Sequence, residues 1–171
     1  PVAVYGGPAA DDEAAALALV EAASRLGHEL GVTHVEMRHR HPHRPDWAPQ
    51  PLYVAFRKRI SPDEEANLKA IPRKQRAMVR KAMDRGLVGE NDAHMGRFFE
   101  LYADNMHRHG SPLFARRYFE RLKAEFGADC EVLTILDKGG TPVSGVVSFL
   151  FRDEILPYYA GDTEAARALA A

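Results

Sequence analysis

The chain of 171 residues contains a single cysteine, a single tryptophan and a formal net charge of only -1. One cysteine cannot form an intrachain disulfide, which excludes the class of small disulfide-stapled domains. No run of about 18 apolar residues is present, which excludes an α-helical membrane span. The near-neutral charge excludes a chain that coats nucleic acid over its whole surface. Cys130 lies in a strand-like run and fits a buried small hydrophobe in a reducing compartment, so we expect a cytoplasmic protein.

The bulk composition is that of a globular protein, but the charge is unevenly distributed. Hydrophobic residues make up 46% of the chain and charged residues 27%, which is typical of folded domains. Residues 57–85 carry a local charge of +6, so the remainder carries -7. A basic stripe on an acidic body predicts a local anion site, and we do not expect DNA as a partner.

The positive charge is concentrated in residues 71–86, where six basic residues face one acid, Asp84. At 100° per residue the segment forms a two-sided helix. Its basic arc consists of Arg73, Lys74, Arg76, Arg80, Lys81 and Arg85. Its apolar arc consists of Met78, Val79, Ala82 and Met83. Pro72 suits the first helical position and Gly86 the position just past the end. We expect the apolar arc to pack on the core and the basic arc to remain outside.

The order of charges along this helix is poor for stability. Arg73 and Lys74 occupy the first turn, where the helix dipole disfavours cations by a few tenths of a kcal/mol each. Two like-charge pairs also stand four residues apart, at a similar cost. The arrangement therefore favours a helix that meets an anion, while a merely solvated basic face is the alternative.

The remaining chain divides into recognisable elements. Helices are predicted from Asp11 as cap to about residue 30, from the capping box Ser61-Pro62-Asp63-Glu64, over 93–109, over 115–126 and from 163 onward. Strands are predicted over 2–5, 32–37, 52–56, 131–136, 143–151 and 155–159, with a short extended link at 87–89. The tight turns between the last three strands predict an antiparallel meander.

A short internal sequence similarity relates the two halves of the chain. Tyr5 to Leu17 and Tyr159 to Leu169 both run from a strand through a small or Gly-containing turn and an acidic cap into an Ala-rich helix. The similarity indicates that one supersecondary unit occurs twice. The chain also opens inside a strand-like run without an initiator Met and closes inside a helix-like run, so we expect an internal fragment of a longer protein.

Four strings carry a family resemblance: Val4-Tyr-Gly-Gly-Pro8, Ile71-Pro-Arg-Lys-Gln-Arg-Ala-Met-Val-Arg-Lys81, Gly110-Ser-Pro-Leu-Phe114 and Leu156-Pro-Tyr-Tyr-Ala-Gly161. With the order of elements, they resemble the FemAB family of GNAT-fold acyltransferases. They are most similar to the FemAB-related proteins of PEP-CTERM (exosortase) exopolysaccharide systems.

The resemblance implies a mixed α+β fold, namely the GNAT-like acyl-CoA N-acyltransferase fold in the tandem-domain FemAB arrangement, truncated at both ends. Residues 1–58 would be the C-terminal part of a first GNAT-like domain. Residues 59–86 would be connecting helices that include the basic helix. Residues 87–171 would begin the second domain.

The resemblance also implies a transferase that moves an acyl or aminoacyl group to an amine of a cell-envelope or exopolysaccharide precursor. Its co-substrate would be acyl-CoA or aminoacyl-tRNA, with no bound cofactor. An acetyl-CoA-dependent N-acetyltransferase of GNAT type is one alternative, and a non-catalytic module that binds tRNA or another polyanion is the other. The expected partner is a phosphate-bearing small-molecule donor or acceptor, and tRNA is a further candidate.

The residues expected to bind phosphate or substrate are Arg73, Lys74, Arg76, Arg80, Lys81, Ser111 and Gly161. Arginine can hold phosphate through bidentate contacts, and Gly161 precedes a helix N-terminus of the kind that receives a pyrophosphate. Asp162 and Glu164 depart from this pattern, because in that turn they would repel a pyrophosphate and cap the helix instead. Ser111 suits a turn equally well.

The catalytic candidates are His107, His109 and Tyr159. A histidine near the expected cleft could deprotonate the attacking amine, although a histidine at a helix C-terminus also interacts favourably with the dipole. Tyr159 also suits a cleft wall.

Three alternating histidines, His39, His41 and His43, could converge on zinc. The sequence supplies no Cys or carboxylate at a spacing that completes the ligand set, so we expect a surface loop and no metal.

Overall fold

The computed structural model describes residues 5–39, 41–50 and 54–170. The chain divides into two compact units between Lys58 and Arg59. The assignment of these units to two GNAT-like domains stays a prediction.

The first unit is built on helix α1, Glu13–Glu29. Asp12 caps it, in place of the predicted Asp11, because its side chain accepts a hydrogen bond of 2.8 Å from the Ala15 amide. Gly31 ends the helix region with a φ of +65°, a left-handed conformation that glycine adopts without strain. The predicted end of this helix is therefore confirmed.

The strand predicted over 32–37 is wrong. Among the described residues, 32–37 form no strand, and an isolated bridge joins Gly6 to Arg38 nearby. The valines that gave the segment its β-propensity lie over the helix instead: a side chain added at Gly27 would meet methyl groups of Val32 and Val35. The strand predicted over 52–56 falls partly outside the described residues, and its described part, 54–56, forms no strand.

The second unit contains a four-stranded antiparallel sheet in the order β1-β2-β3-β4. The strands are β1 (Val88–Asn91), β2 (Cys130–Leu136), β3 (Pro142–Phe151) and β4 (Glu154–Asp162). The predicted meander and the α+β class are confirmed. The segment predicted as an extended link is a true strand, because Val88 pairs with Leu136 and the register continues to Asn91.

Five helices and one 3-10 turn complete the described part of this unit. They are α2 (Glu64–Lys69), α3 (Arg73–Asp84), α4 (Gly96–His109), α5 (Arg116–Phe126), the turn Gly127–Asp129 and α6 (Glu164–Leu169). Asp63 caps α2 by accepting from the amides of Glu65 and Ala66. Ser61, the predicted cap, instead accepts from the Asp63 amide at 3.1 Å.

The core lies between the sheet and the pair α4 and α5. Burial alternates along β2, as expected for a strand with one covered face. The buried cluster consists of Met95, Phe98, Tyr102, Phe119, Cys130, Val132 and Val147. Phe98 and Phe119 meet edge to face at 5.5 Å, an orientation that aromatic quadrupoles favour.

The basic helix is not packed on the core, which corrects the prediction for its apolar arc. α3 has no buried residue, and Met78, Val79 and Met83 are 45%, 38% and 65% exposed. Periodicity predicts where an apolar face lies on a helix but not what will cover it. Among the described residues, no element buries this face.

Candidate functional site

The first group of candidate residues lies along one side of α3. Arg73, Arg76, Ala77, Arg80, Lys81 and Asp84 line a shallow space of about 370 Å³. Ala77 has the smallest side chain in this set, so it forms the bottom of the space, and the longer basic side chains form its walls. Lys74 belongs to the same helix but does not line the space.

The cations of α3 are largely uncompensated. The Arg76 guanidinium donates to the Lys69 carbonyl at 2.9 Å, which ties α3 to the end of α2. On α3 there are four other predicted phosphate ligands, and their side chains form no ion pair or hydrogen bond among residues 5–39, 41–50 and 54–170. They are Arg73, Lys74, Arg80 and Lys81. Clustered cations without counter-charges create a local positive potential that an anion would relieve.

The second group lies where β4 meets α4 and α5. The Tyr118 and Tyr159 hydroxyls are 2.8 Å apart, although the residues are 41 positions apart in the chain. Tyr159 also contacts the core, with its ring 5.2 Å from Phe119 and 6.3 Å from Tyr102. The predicted catalytic candidate on β4 is therefore held by hydrogen bonding and by aromatic packing.

The same place carries an irregularity in the sheet. Val147 lies opposite Tyr159, whereas Ser148 lies opposite Pro157, so Tyr158 is the extra residue of a β-bulge. A bulge bends its strand and re-aims the side chains beside it. Tyr158 and Tyr159 accordingly bring their rings within 4.8 Å of each other.

Tyr159 is suited to donate a hydrogen bond rather than to remove a proton. Burial raises the pKa of its phenol. A phenol that keeps its proton at neutral pH cannot serve as a general base there.

The end of β4 is fixed to α4 by close packing. Gly161 is buried in strand β4, and a Cβ added to it would lie 2.5 Å from the Tyr102 amide nitrogen and 2.7 Å from the Leu101 carbonyl carbon. Glycine is required at this position by the approach of the helix backbone. Phosphate binding by Gly161 stays a prediction.

Asp162 does not cap the following helix, which corrects the expectation for this residue. β4 continues through it, and Thr163 occupies the cap position of α6. The Asp162 carboxylate accepts from the Arg108 guanidinium at 2.6 Å and from the Asn105 amide at 2.8 Å. The hydrogen bond from Arg108 is the main cause that lowers the pKa of Asp162. The side chains of Arg108 and Asn105, both on α4, thus bind the carboxylate that the sequence predicted to cap the helix.

The other candidates lie at the end of α4. His107 and His109 are exposed in its last turn, and Gly110 ends the helix with a φ of +64°. The Ser111 amide donates to the Met106 carbonyl at 3.0 Å, so Ser111 belongs to the turn that closes the helix. The two histidines are about 200° apart around the helix and do not face one ligand.

Sequence reasoning missed the partners of these residues. In the sequence, Tyr118 belongs to an aromatic segment and Arg108 lies between two histidines. Neither position predicts the contact that the residue makes. Their contacts join residues 41 and 54 positions apart. Local patterns do not report which distant strand end a helix will meet.

The histidine loop lies in the first unit. The His43 ring nitrogen lies 2.9 Å from the Glu13 carboxylate, and the His39 and His43 rings meet edge to face at 5.1 Å. Burial lowers the pKa of His39, and the charge of His43 lowers the pKa further. The part of the chain that the structure describes contains no group of three His, Cys, Asp or Glu side chains placed to hold a metal ion.

None of the helices within the described ranges has the length and apolarity that a membrane crossing requires.

Among curated proteins, the chain is similar to the UDP-N-acetylmuramoylpentapeptide-lysine N(6)-alanyltransferase of Weissella viridescens. The two are 24% identical over 106 residues, which cover 60% of this chain and 32% of that protein. The chain thus spans about a third of the length of this relative.

The FemAB resemblance is supported by that relative, whereas the link to PEP-CTERM systems stays a prediction. Residues 69–171 match the family described as the acetyltransferase (GNAT) domain. This match includes α3, the whole sheet and both groups of candidate residues, so the chain belongs to the acetyltransferase (GNAT) domain family.

Proposed function

We propose that the chain contributes to a FemAB-like acyltransferase that moves an acyl or aminoacyl group to an amine of a cell-envelope or exopolysaccharide precursor. The single observation that carries the proposal is the cationic side of α3 within a GNAT-family chain. Both kinds of donor and a nucleotide-linked acceptor carry phosphate. Arg73, Arg80 and Lys81, which line one space and whose side chains form no ion pair among the described residues, are suited to hold it.

The proposed reaction is a direct transfer. The acceptor amine attacks the carbonyl carbon of the donor, a C–N bond forms, and the bond to the leaving oxygen or sulfur breaks. The proton lost by the amine ends on the leaving group or on water. The protein contributes by holding both partners in position. Cys130, the one thiol, is fully buried and burial raises its pKa, so it does not serve as a nucleophile.

The surroundings of α6 favour aminoacyl-tRNA over acyl-CoA as donor. A pyrophosphate placed at the start of this six-residue helix would meet the carboxylates of Asp162 and Glu164. Carboxylates repel a pyrophosphate unless a cation intervenes. Arg108 is already engaged by Asp162 and by Asp104.

A binding experiment tests the role of α3. Alanyl-tRNA, acetyl-CoA and UDP-N-acetylmuramoylpentapeptide are titrated against the protein and against Arg80→Ala, Lys81→Ala and the double variant. Each lost charge-assisted contact is worth about 1.5–3 kcal/mol, so we expect each single change to weaken the phosphate ligand roughly 10- to 100-fold. Arg117→Ala is the matched control, because Arg117 is an exposed arginine of α5 outside the cationic surface.

The outcomes separate the candidate functions. Unchanged affinity of the double variant for all three ligands would reject phosphate binding by α3. Turnover with acetyl-CoA alone would favour an N-acetyltransferase. Strong tRNA binding without turnover would favour the non-catalytic module. Replacement of the acid in the same space, Asp84→Asn, should tighten phosphate binding, and weaker binding would count against the proposal.

A further inference from the structure

The family match assigns no function to the pair formed by Tyr118 and Tyr159, whose hydroxyls are 2.8 Å apart. We propose that the Tyr159 hydroxyl donates a hydrogen bond to the carbonyl oxygen of the acyl group being transferred, and that Tyr118 is its positioning residue. This inference rests on the proposed acyl transfer, and it deepens that proposal by naming a residue that contacts the reacting carbonyl.

The first argument is a count of hydrogen atoms. Two hydroxyls 2.8 Å apart share one hydrogen bond, in which either oxygen can be the donor. One hydroxyl hydrogen therefore remains for a third group. Neither hydroxyl has another hydrogen-bond partner within the described ranges. Both tyrosines are partly exposed to solvent, and we propose that a ligand takes the remaining hydrogen.

The second argument is the position of Tyr159 in the sheet. It follows the bulge residue of β4, and β4 pairs only with β3 among the described strands. The other edge of β4 thus offers backbone groups that no described strand uses, beside the hydroxyl. A carbonyl compound lying along this edge could meet both.

The third argument is rigidity. The Tyr159 ring is held from two further sides by Phe114 at 6.2 Å and Phe119 at 5.2 Å. Tyr118 is packed against the same Phe114 at 4.9 Å. A donor fixed before the reaction stabilises developing charge without the cost of reorientation. Burial raises the pKa of Tyr159, which keeps the proton on the phenol.

The proposed step balances without a further reactant. As the amine adds, the carbonyl electron pair moves to oxygen, where the Tyr159 hydrogen bond strengthens. The carbonyl then reforms while the bond to the leaving group breaks, and Tyr159 keeps its proton throughout. Loss of one such donor typically costs on the order of 10²-fold in kcat.

The test compares Tyr159→Phe, Tyr118→Phe and the double variant with the wild type, using alanyl-tRNA and UDP-N-acetylmuramoylpentapeptide. We expect Tyr159→Phe to lower kcat about 10²-fold with little change in KM. Tyr118→Phe should lower kcat less and should add nothing in the Tyr159→Phe background. Tyr5→Phe, in the first unit, is the control for loss of a phenol elsewhere. Wild-type kcat in Tyr159→Phe, or additive losses in the double variant, would overturn the proposal.

Two readouts separate a positioning role from a structural one. In the proposed arrangement Tyr118 donates to the Tyr159 oxygen and stabilises its phenolate, so Tyr118→Phe should raise the pH at which Tyr159 ionises, followed by phenolate absorbance. A lower ionisation pH in this variant would show that Tyr159 donates to Tyr118 and would overturn the proposal. In protein labelled with 3-fluorotyrosine, the Tyr159 resonance should shift when alanyl-tRNA binds. Binding without that shift rejects this inference alone. Absence of both binding and turnover rejects the proposed function, and the inference with it.

Discussion

Replacement of Gly161 by alanine is the sharpest test of how β4 is held against α4. A Cβ at this position would lie 2.5 Å from the Tyr102 nitrogen, 2.6 Å from the Tyr102 Cα and 2.7 Å from the Leu101 carbonyl carbon. All three atoms belong to the helix backbone, which cannot rotate away as a side chain would. The helix and the strand must therefore move apart.

The cost follows from the packing that this movement disrupts. Insertion of one extra carbon into a well-packed interior costs typically about 1–3 kcal/mol. Overlap with three consecutive backbone atoms of α4 places Gly161→Ala in the upper part of that range. With a urea m value of about 1–3 kcal/mol per molar, a cost of about 2–3 kcal/mol should lower the unfolding midpoint by roughly 0.7–3 M.

Gly96→Ala is the matched control because it makes the same chemical change at the start of the same helix. A Cβ at Gly96 meets no atom within 4 Å, and alanine is favoured over glycine in helices by up to about 1 kcal/mol. Both variants are compared by urea unfolding, monitored by near-UV circular dichroism of the tyrosines. A free energy of unfolding for Gly161→Ala within about 0.5 kcal/mol of wild type would refute the close approach of α4 and β4.

Three further predictions concern side chains in the same unit. Cys130 should resist a thiol reagent in the native protein and react rapidly in concentrated urea, because it is fully buried and its pKa is raised; rapid native labelling would contradict this. Asp162 has a lowered pKa, so its stabilising interaction is present above an unfolded pKa near 3.8 and is lost as the pH falls through the lower folded value. Arg108→Ala should therefore flatten the acid loss of stability in urea unfolding at a series of pH values, and an unchanged slope would count against the pair. Thr134→Val should cost about 1–2 kcal/mol in urea unfolding, because the fully buried Thr134 hydroxyl donates to Asp92 at 2.7 Å; an unchanged midpoint would show that this bond adds no stability.

The parts of the fold that sequence predicted are those set by neighbouring residues. The strands β2, β3 and β4 alternate in burial or are joined by tight turns, so their pairing follows from short-range signals. The glycines that end α1 and α3 have φ values of +65° and +71°, as predicted from helix-stop patterns.

The parts of the fold that the sequence predicted wrongly depend on which other element each segment contacts. Val32 and Val35 have strand propensity, yet they lie against α1 because no described strand offers them a ladder. The periodicity of α3 marks Met78 and Met83 as one face without specifying a neighbour for that face. Aspartate is a residue type that commonly caps helices, but the Asp162 carboxylate accepts a hydrogen bond from Arg108 instead.

The candidate site follows the same division. The basic residues of α3 form one surface because they lie on one helix, which the 3.6-residue period predicts. The hydroxyl pair of Tyr118 and Tyr159 requires α5 to reach β4 across 41 residues, and no local signal encodes that contact.

The two groups of candidate residues differ in how firmly they are held, and this difference suits the two tasks of an acyltransferase. Residues 159–162 of β4 are fixed to α4 and α5 by the Tyr118 hydroxyl, by the close contact at Gly161 and by the Arg108 pair. Such a rigid edge can orient a reacting carbonyl. Misplacement of the reacting groups by about 1 Å can lower the reaction rate by about 10²-fold. Arg73, Arg80 and Lys81 of α3 have long, exposed side chains that form no ion pair among the described residues. They can adjust to the position of a mobile phosphate with little loss of binding free energy. Mutations on α3 should therefore act mainly on KM, whereas mutations along 159–162 should act mainly on kcat.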